Sequence, residues 1–249
     1  MVIGTTLAII AILFLGTLIR SIFGFGEALV AVPLLALVMP IEQAAPVAVL
    51  VSITIALLIL IQDWRKVHFE SAGRLIVSTM FGIPVGLWIL RTLPESVVKA
   101  ILAVIIMAFS IHALRNRHKH RLDDDRLAWL FGFNAGVLGG AYGMNGPPLA
   151  IYGSLRRWSP EHFRATLQAY FLPASVAGMG GYWMAGLWTP AVNHFFLASL
   201  PGVALAVIAG RAIHTRIDPH RFTSYVYVGL TVIGAVLLLQ SFAGIGILY

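Results

Sequence analysis

The chain has 249 residues, 59% apolar and only 11% charged, with a mean hydropathy of +0.89; a soluble domain carries about 25% charged residues, so an ordinary soluble fold is excluded. The formal net charge is +7, but the bases sit between apolar runs, which points to membrane topology and not to nucleic acid. With no cysteine, disulfides, thiolate zinc sites, iron–sulfur clusters and cysteine nucleophiles are excluded.

In chain order, the first apolar run is Val2 to Ile19, closed by Arg20. It lacks a basic leader and a small-residue cleavage site, so it reads as a membrane segment and not a signal peptide. The stretch Ser21 to Glu27 carries Gly24, Phe25 and Gly26, and a short run, Ala28 to Met39, follows. Pro40-Ile41-Glu42 opens the next run, which reaches Ile61, and Asp63 to His68 is a polar connector. Runs follow at about 70–90 and 96–114, then the hydrophilic stretch Arg115 to Arg126. The second half has runs at 127–142, 146–155, 161–184, 190–213 and 222–245. Backbone in lipid must satisfy its own hydrogen bonds, and these solid runs lack the alternation of barrel strands, so all are predicted helices.

The two halves resemble each other. Gly143, Asn145 and Glu161 stand 119 residues beyond Gly24, Gly26 and Glu42. Ile83-Pro84-Val85-Gly86 has a counterpart in Leu200-Pro201-Gly202, and each is followed by a Pro-containing turn and one last apolar run. This divides the chain into a first transmembrane repeat at 1–115, a connector at 116–126 and a second repeat at 127–249. Gly or Pro interruptions at matching places in two halves are the best sequence pointer to a transporter's binding site.

Charge sets the expected orientation. Lys and Arg mark the cytoplasmic side, which places the connectors around Arg65-Lys66, Arg115–Arg126 and Arg211–Arg221 inside. The connector 184–190, without Lys or Arg, falls outside. The segment 127–157 then enters and leaves on the cytoplasmic side, 2–39 does so on the outer side, and both termini are external. Each repeat becomes a broken helical hairpin plus three transmembrane helices, and the repeats are inverted. A limb of about 14 residues rises roughly 21 Å against a core of about 30 Å, so the two hairpins would overlap near the middle. The alternative is eight full spans in two parallel four-helix repeats. Trp64, Trp158, Trp183, Trp188 and Tyr249 are expected in interfacial belts, and His162 and Arg164 as cytoplasmic anchors.

The breaks carry the chemistry. Gly24-Phe25-Gly26 and Gly143-Met144-Asn145-Gly146-Pro147-Pro148 stop helices. Asn145 suits an N-cap and Pro147 a first helical turn. The returning limbs begin near Gly26 and Asn145, where backbone N–H groups and a partial positive charge are presented. Glycine lets a ligand approach that backbone, so two facing N-termini form an anion site without any charged side chain. The competing reading is that Gly and Pro only permit close helix packing. Tyr142 and Gln168 are further candidates to line the pocket. Glu27 and Arg20 flank the first break. Glu27 is a candidate proton carrier, or else it stabilises the returning limb or pairs with Arg20. His118, His120 and Asp123–Asp125 sit in a mixed-charge connector and read as solvated residues, not a metal site. No hydrolase, zinc-protease or phosphate-loop motif occurs, so no enzyme activity, catalytic residue, metal or cofactor is expected.

Phe23-Gly24-Phe25-Gly26 with Val32-Pro33-Leu34, answered by Gly139-Gly140-Ala141-Tyr142-Gly143-Met144-Asn145-Gly146-Pro147-Pro148-Leu149, resembles the TauE/SafE sulfite exporter family, also called TSUP. The resemblance covers nearly the whole chain in length, segment number and duplication. It implies a multi-pass protein of the bacterial inner membrane moving sulfite, sulfonates or related sulfur anions. The chain departs from the commoner glycine-rich forms at Glu27 and Asn145. A sulfonate offers three acceptor oxygens, suited to several N–H donors. One charge crossing the membrane potential is worth about 2.3 kcal/mol per 100 mV, which makes outward movement of an anion the simplest mechanism. Proton-coupled carriage of another organic anion, such as a carboxylate, is the alternative, and a membrane subunit or scaffold without transport is the reading of a different class. The expected partners are a small anion and the lipid bilayer, with no nucleic acid; a homo-oligomer is left open.

Overall fold

A computed structural model describes residues 2–63, 69–115, 122, 125–214 and 219–243. Among them the chain forms ten helices and no strand. The first half holds α1 (Val2–Phe23), α2 (Glu27–Val38), α3 (Ile41–Asp63), α4 (Phe69–Thr92) and α5 (Glu95–Arg115). The second holds α6 (Ala128–Tyr142), α7 (Gly146–Leu155), α8 (Pro160–Met184), α9 (Pro190–His214) and α10 (Pro219–Ala243). Among the described residues, α1, α3, α4, α5 and α9 are long and apolar enough to cross a membrane. Large apolar side chains such as Phe81, Trp88, Leu239 and Phe242 stand on the outside, as expected of surfaces in contact with lipid tails.

A helix limb of about 14 residues describes α2, α6 and α7, but α1 has 22 residues, which at about 1.5 Å per residue is roughly 33 Å. It runs past Arg20 to Phe23 because that charge is met by Glu27 inside the protein, so the base does not end the buried segment.

The most extensive helix contacts correspond when the halves are exchanged, although those of α2 with α3, α5 and α10 have no comparable counterpart at α7. α1 lies on α9 as α6 lies on α4, α3 packs on α8, α5 on α10, and α2 touches α7. The direction of one self-paired contact separates the two repeat arrangements. Ser241, at the end of α10, donates to the carbonyl of Ser96 at the start of α5 (2.7 Å), while Gly234 faces Ala103 and Met107 further along α5. The two helices are therefore antiparallel, as an inverted arrangement requires; a parallel repeat would make them run the same way.

The close packing is a glycine matter. Gly132, Gly136 and Gly140 of α6 face Gly82, Gly86 and the backbone around Leu75, Thr79 and Ile83 on α4. With little hydrophobic drive between helices in lipid, small residues at such spacing hold them by van der Waals contact. Packing therefore accounts for these glycines, Gly140 of the quoted motif included. The return limbs lie at the centre: Val30, Ala31, Val32, Leu35 and Ala36 of α2, and Leu149 and Tyr152 of α7, are buried.

Candidate functional site

Both breaks are built alike. α1 ends on Gly24 in the left-handed region (φ 84°), whose N–H donates to Arg20 O at 2.7 Å. α6 ends on Gly143 (φ 65°), whose N–H donates to Gly139 O at 2.9 Å. This is a glycine helix cap at equivalent places in the two halves. The neighbours correspond too. Gln168 of α8 donates from Nε2 to the Gly24 carbonyl (2.8 Å), and Val49 of α3, its counterpart 119 residues earlier, lies 2.8 Å from where a Cβ on Gly143 would sit.

The breaks meet. A Cβ on Gly146 would find only Phe25 Cδ2 within 4.0 Å, and one on Gly26 only Ile19 at 3.4 Å. Phe25, Gly26 and Gly146 are half-buried, whereas Gly24, Glu27, Gly143, Met144 and Asn145 are buried. A methyl would thus fit at both starts without a clash, so α2 and α7 begin in looser packing than surrounds Gly143. Phe25 borders Gly146 and packs edge-on against Phe163 of α8 (5.6 Å).

The donors available differ between the two starts. In α2 the first intrahelical bond is Val30 N to Gly26 O (3.2 Å), so the N–H groups of Glu27, Ala28 and Leu29 precede it. In α7 the second and third residues are Pro147 and Pro148, which have no N–H. The N–H of Met144 is spent on Leu138 O (3.2 Å). Asn145 and Gly146 are left as the backbone donors of the second break. Asn145 occupies the N-cap place but makes no side-chain capping bond; its side chain lies against Gly139 and bonds Tyr170 instead.

Beside the first break lies a polar cluster. Arg20 is 1% exposed and Glu27 2%. Arg20 Nη1 reaches Glu27 Oε2 (3.3 Å) and Ser52 Oγ (2.6 Å), Nη2 donates to Gln168 Oε1 (3.0 Å), and the guanidinium stands 4.7 Å from the centre of the Phe171 ring. Gln168 therefore links Arg20 to Gly24. In the second half Gly139 stands where Arg20 would be, so the charge belongs to one break only.

Of the residues picked out in the sequence, Gly24, Phe25, Gly26, Glu27, Arg20 and Gln168 come together, and Gly146 joins them through Phe25. Tyr142 points elsewhere: its hydroxyl donates to Val98 O on α5 (3.0 Å), which anchors the end of α6. Met144 is wholly buried. Ser52, Phe163 and Phe171 carry no sequence signal and are missed by sequence reasoning, since a serine or phenylalanine in an apolar run looks like any other. Trp158 packs on Tyr152, while Trp183 and Trp188 are exposed. Trp64, Tyr249, His118, His120, Asp123, Asp124 and the side chains of His162 and Arg164 lie outside the described residues. Asp125 binds Tyr152 (2.6 Å) and Arg156 (3.1 Å). No group of three metal-binding side chains occurs among the described residues.

The family model for the sulfite exporter TauE/SafE matches residues 8–237. The chain belongs to the TauE/SafE family. Neither a curated protein nor a solved structure matches it. Membership makes it a multi-pass membrane transporter and not an enzyme, with a small anion and the bilayer as its partners. The TauE/SafE match runs from α1 into α10 and so includes both breaks.

Proposed function

We propose that this TauE/SafE protein carries sulfite or a small organosulfonate outward across a bacterial inner membrane. The anion binds between Gly24–Gly26 and Gly143–Gly146, near the bilayer midplane. The observation that carries the reading is the meeting of the starts of α2 and α7 at Gly26, Phe25 and Gly146, where a Cβ on either glycine would meet ordinary contacts and no clash. In this reading Glu27, Ala28 and Leu29 on one side and Asn145 and Gly146 on the other offer the anion the N–H groups and positive dipole ends that helix starts carry. A tetrahedral oxyanion uses several such donors at once. The antiparallel packing of α5 and α10 supports two inverted repeats, 1–115 and 127–249, rocking against each other around that site.

The test is flux in liposomes. Purified protein is expected to exchange labelled sulfite, with competition by isethionate or sulfoacetate and none by cations. Competition by carboxylates alone would move the assignment to a carboxylate carrier, and absence of any anion flux would end the reading of the site.

A further inference from the structure

The Arg20–Glu27 pair is unfinished as a structural ion pair. It is wholly buried, yet it makes one contact of 3.3 Å, longer than the usual 2.7–2.9 Å, about, of a charge-assisted bond. Glu27 Oε1 and Arg20 Nε have no hydrogen-bond partner. Burying charges is repaid only when geometry is good and the remaining lone pairs and protons are satisfied. Here an acceptor is left over on the residue that follows Gly26, and a donor on the guanidinium that it pairs with.

We propose that Arg20 is the cationic half of the anion site and trades its carboxylate for the anion, Glu27 taking up one proton as it does so, so that one proton crosses with each anion. This rests on the anion reading above. Without anion, Arg20 and Glu27 neutralise each other. When an oxyanion engages Arg20 and the start of α2, an ionised Glu27 is left buried with only the Ser52 hydroxyl, without its counter-charge and beside a second negative charge, which is costly enough that it takes a proton from the water that admitted the anion. The site is neutral in both states, and anion and proton leave together on the far side. Gln168 is a positioning residue: with one end on Arg20 and the other on the Gly24 carbonyl, it ties the guanidinium to the break.

Among the described residues, Arg20 is the charged side chain within ion-pair reach of Glu27. Of the elements packed on α2, α3 brings Ser52 to both Arg20 and Glu27 and carries its Glu42 exposed at one end. α5 has Glu95 paired to Lys99 (3.0 Å) and Arg115 exposed, and α7 carries no charged residue. The side chains of Asp63 on α3 and of His220 and Arg221 on α10 lie outside the described residues.

A monoanion crossing with a proton moves no net charge, so the membrane potential no longer drives it outward, and outward flux then requires the anion's own outward gradient to exceed any inward proton gradient. The experiment uses wild-type protein in liposomes with a pH dye inside, a potassium–valinomycin clamp, and isethionate and sulfite as probes. Isethionate stays ionised, so a proton that enters with it travels on the protein. The expected result is internal acidification with influx and an accumulation unmoved by the clamp. Accumulation that follows the potential, roughly 50-fold per 100 mV for a bare anion, would overturn the proposal and leave the anion reading standing. If neither probe moves, both fall. Glu27→Gln is expected to keep anion flux, lose acidification and become voltage-driven; retained acidification overturns the proposal. The double change Arg20→Gln, Glu27→Gln leaves no unpaired buried charge, so folding is preserved, and it is expected to raise KM more than 10-fold, roughly. An unchanged KM in the double variant overturns the assignment of Arg20.

Discussion

Gly146 separates the anion reading from simple packing. It opens α7 in helical conformation, and an added Cβ would meet nothing nearer than Phe25 Cδ2 at 4.0 Å. Gly146→Ala is therefore expected to leave stability unchanged or to raise it by up to about 1 kcal/mol, since alanine is the better helix former. For a chain of this size that is a shift of roughly 2–4 °C in Tm. The same methyl occupies the space through which an anion would approach the Gly146 N–H. Losing one charge-assisted hydrogen bond costs about 1.5–3 kcal/mol, which is roughly 10- to 100-fold in KM. Gly146→Val, bulkier at the same point, is expected to lose more. Thermal unfolding in detergent reads the first quantity and sulfite counterflow the second. If Gly146→Val transports with the wild-type KM, no anion approaches that backbone and the site has been misplaced. If KM rises only together with a collapse in Tm, the glycine serves packing.

The other expectations concern the scaffold. Gly86→Ala puts a Cβ 2.7 Å from Ala141 N and nearer still to the Val137 carbonyl, so α4 and α6 must part; a loss of about 2–3 kcal/mol is expected. Gly180→Ala, which meets nothing within 4 Å, is its neutral control in the same melting assay. Gly143→Ala combines a left-handed backbone (φ 65°) with contacts of 2.8 Å to Val49 and 2.9 Å to Ala45 O. The backbone part alone is about 1–2 kcal/mol, and both Tm and flux are expected to fall. Because the chain has no cysteine, Ser96→Cys with Ser241→Cys gives a clean pair. It is expected to cross-link with a short bifunctional reagent and to label from outside intact cells; labelling from the cytoplasmic side alone would reverse the orientation. Asp125→Asn weakens the ion pairs to Arg156 and Arg74 while leaving an acceptor for Tyr152. Faster proteolysis near 122–126 with flux retained is the expected result, measured by limited digestion in liposomes.

The helices were legible because lipid is a demanding solvent. The apolar runs at 127–142 and 146–155 correspond to α6 and α7 within one residue, since charged residues bound their outer ends and the stretch Gly143 to Pro148 stops one helix and opens the next. The 119-residue offset was legible in the spacing of glycines, and the matching caps on Gly24 and Gly143 follow it. The role of Arg20 was less legible. A base after an apolar run looks like a helix end at the interface, and only the approach of Glu27, Ser52 and Gln168 from three other helices shows that it is held inside. Asn145 misled in detail: its residue type suits a cap, but Gly139 leaves room for its side chain to turn toward α6 and Tyr170.

Local chemistry, then, was set by the sequence: where helices must run, and where glycine and proline must break them. Those properties depend on neighbours a few residues away and on the solvent. The tertiary structure decided which glycines hold helices together and which stand in looser packing, that Tyr142 anchors α6 to α5, and that one break carries a buried charge pair while the other carries none. Those properties depend on residues brought from distant parts of the chain, such as Gly24 and Gln168, and no local pattern encodes that distance.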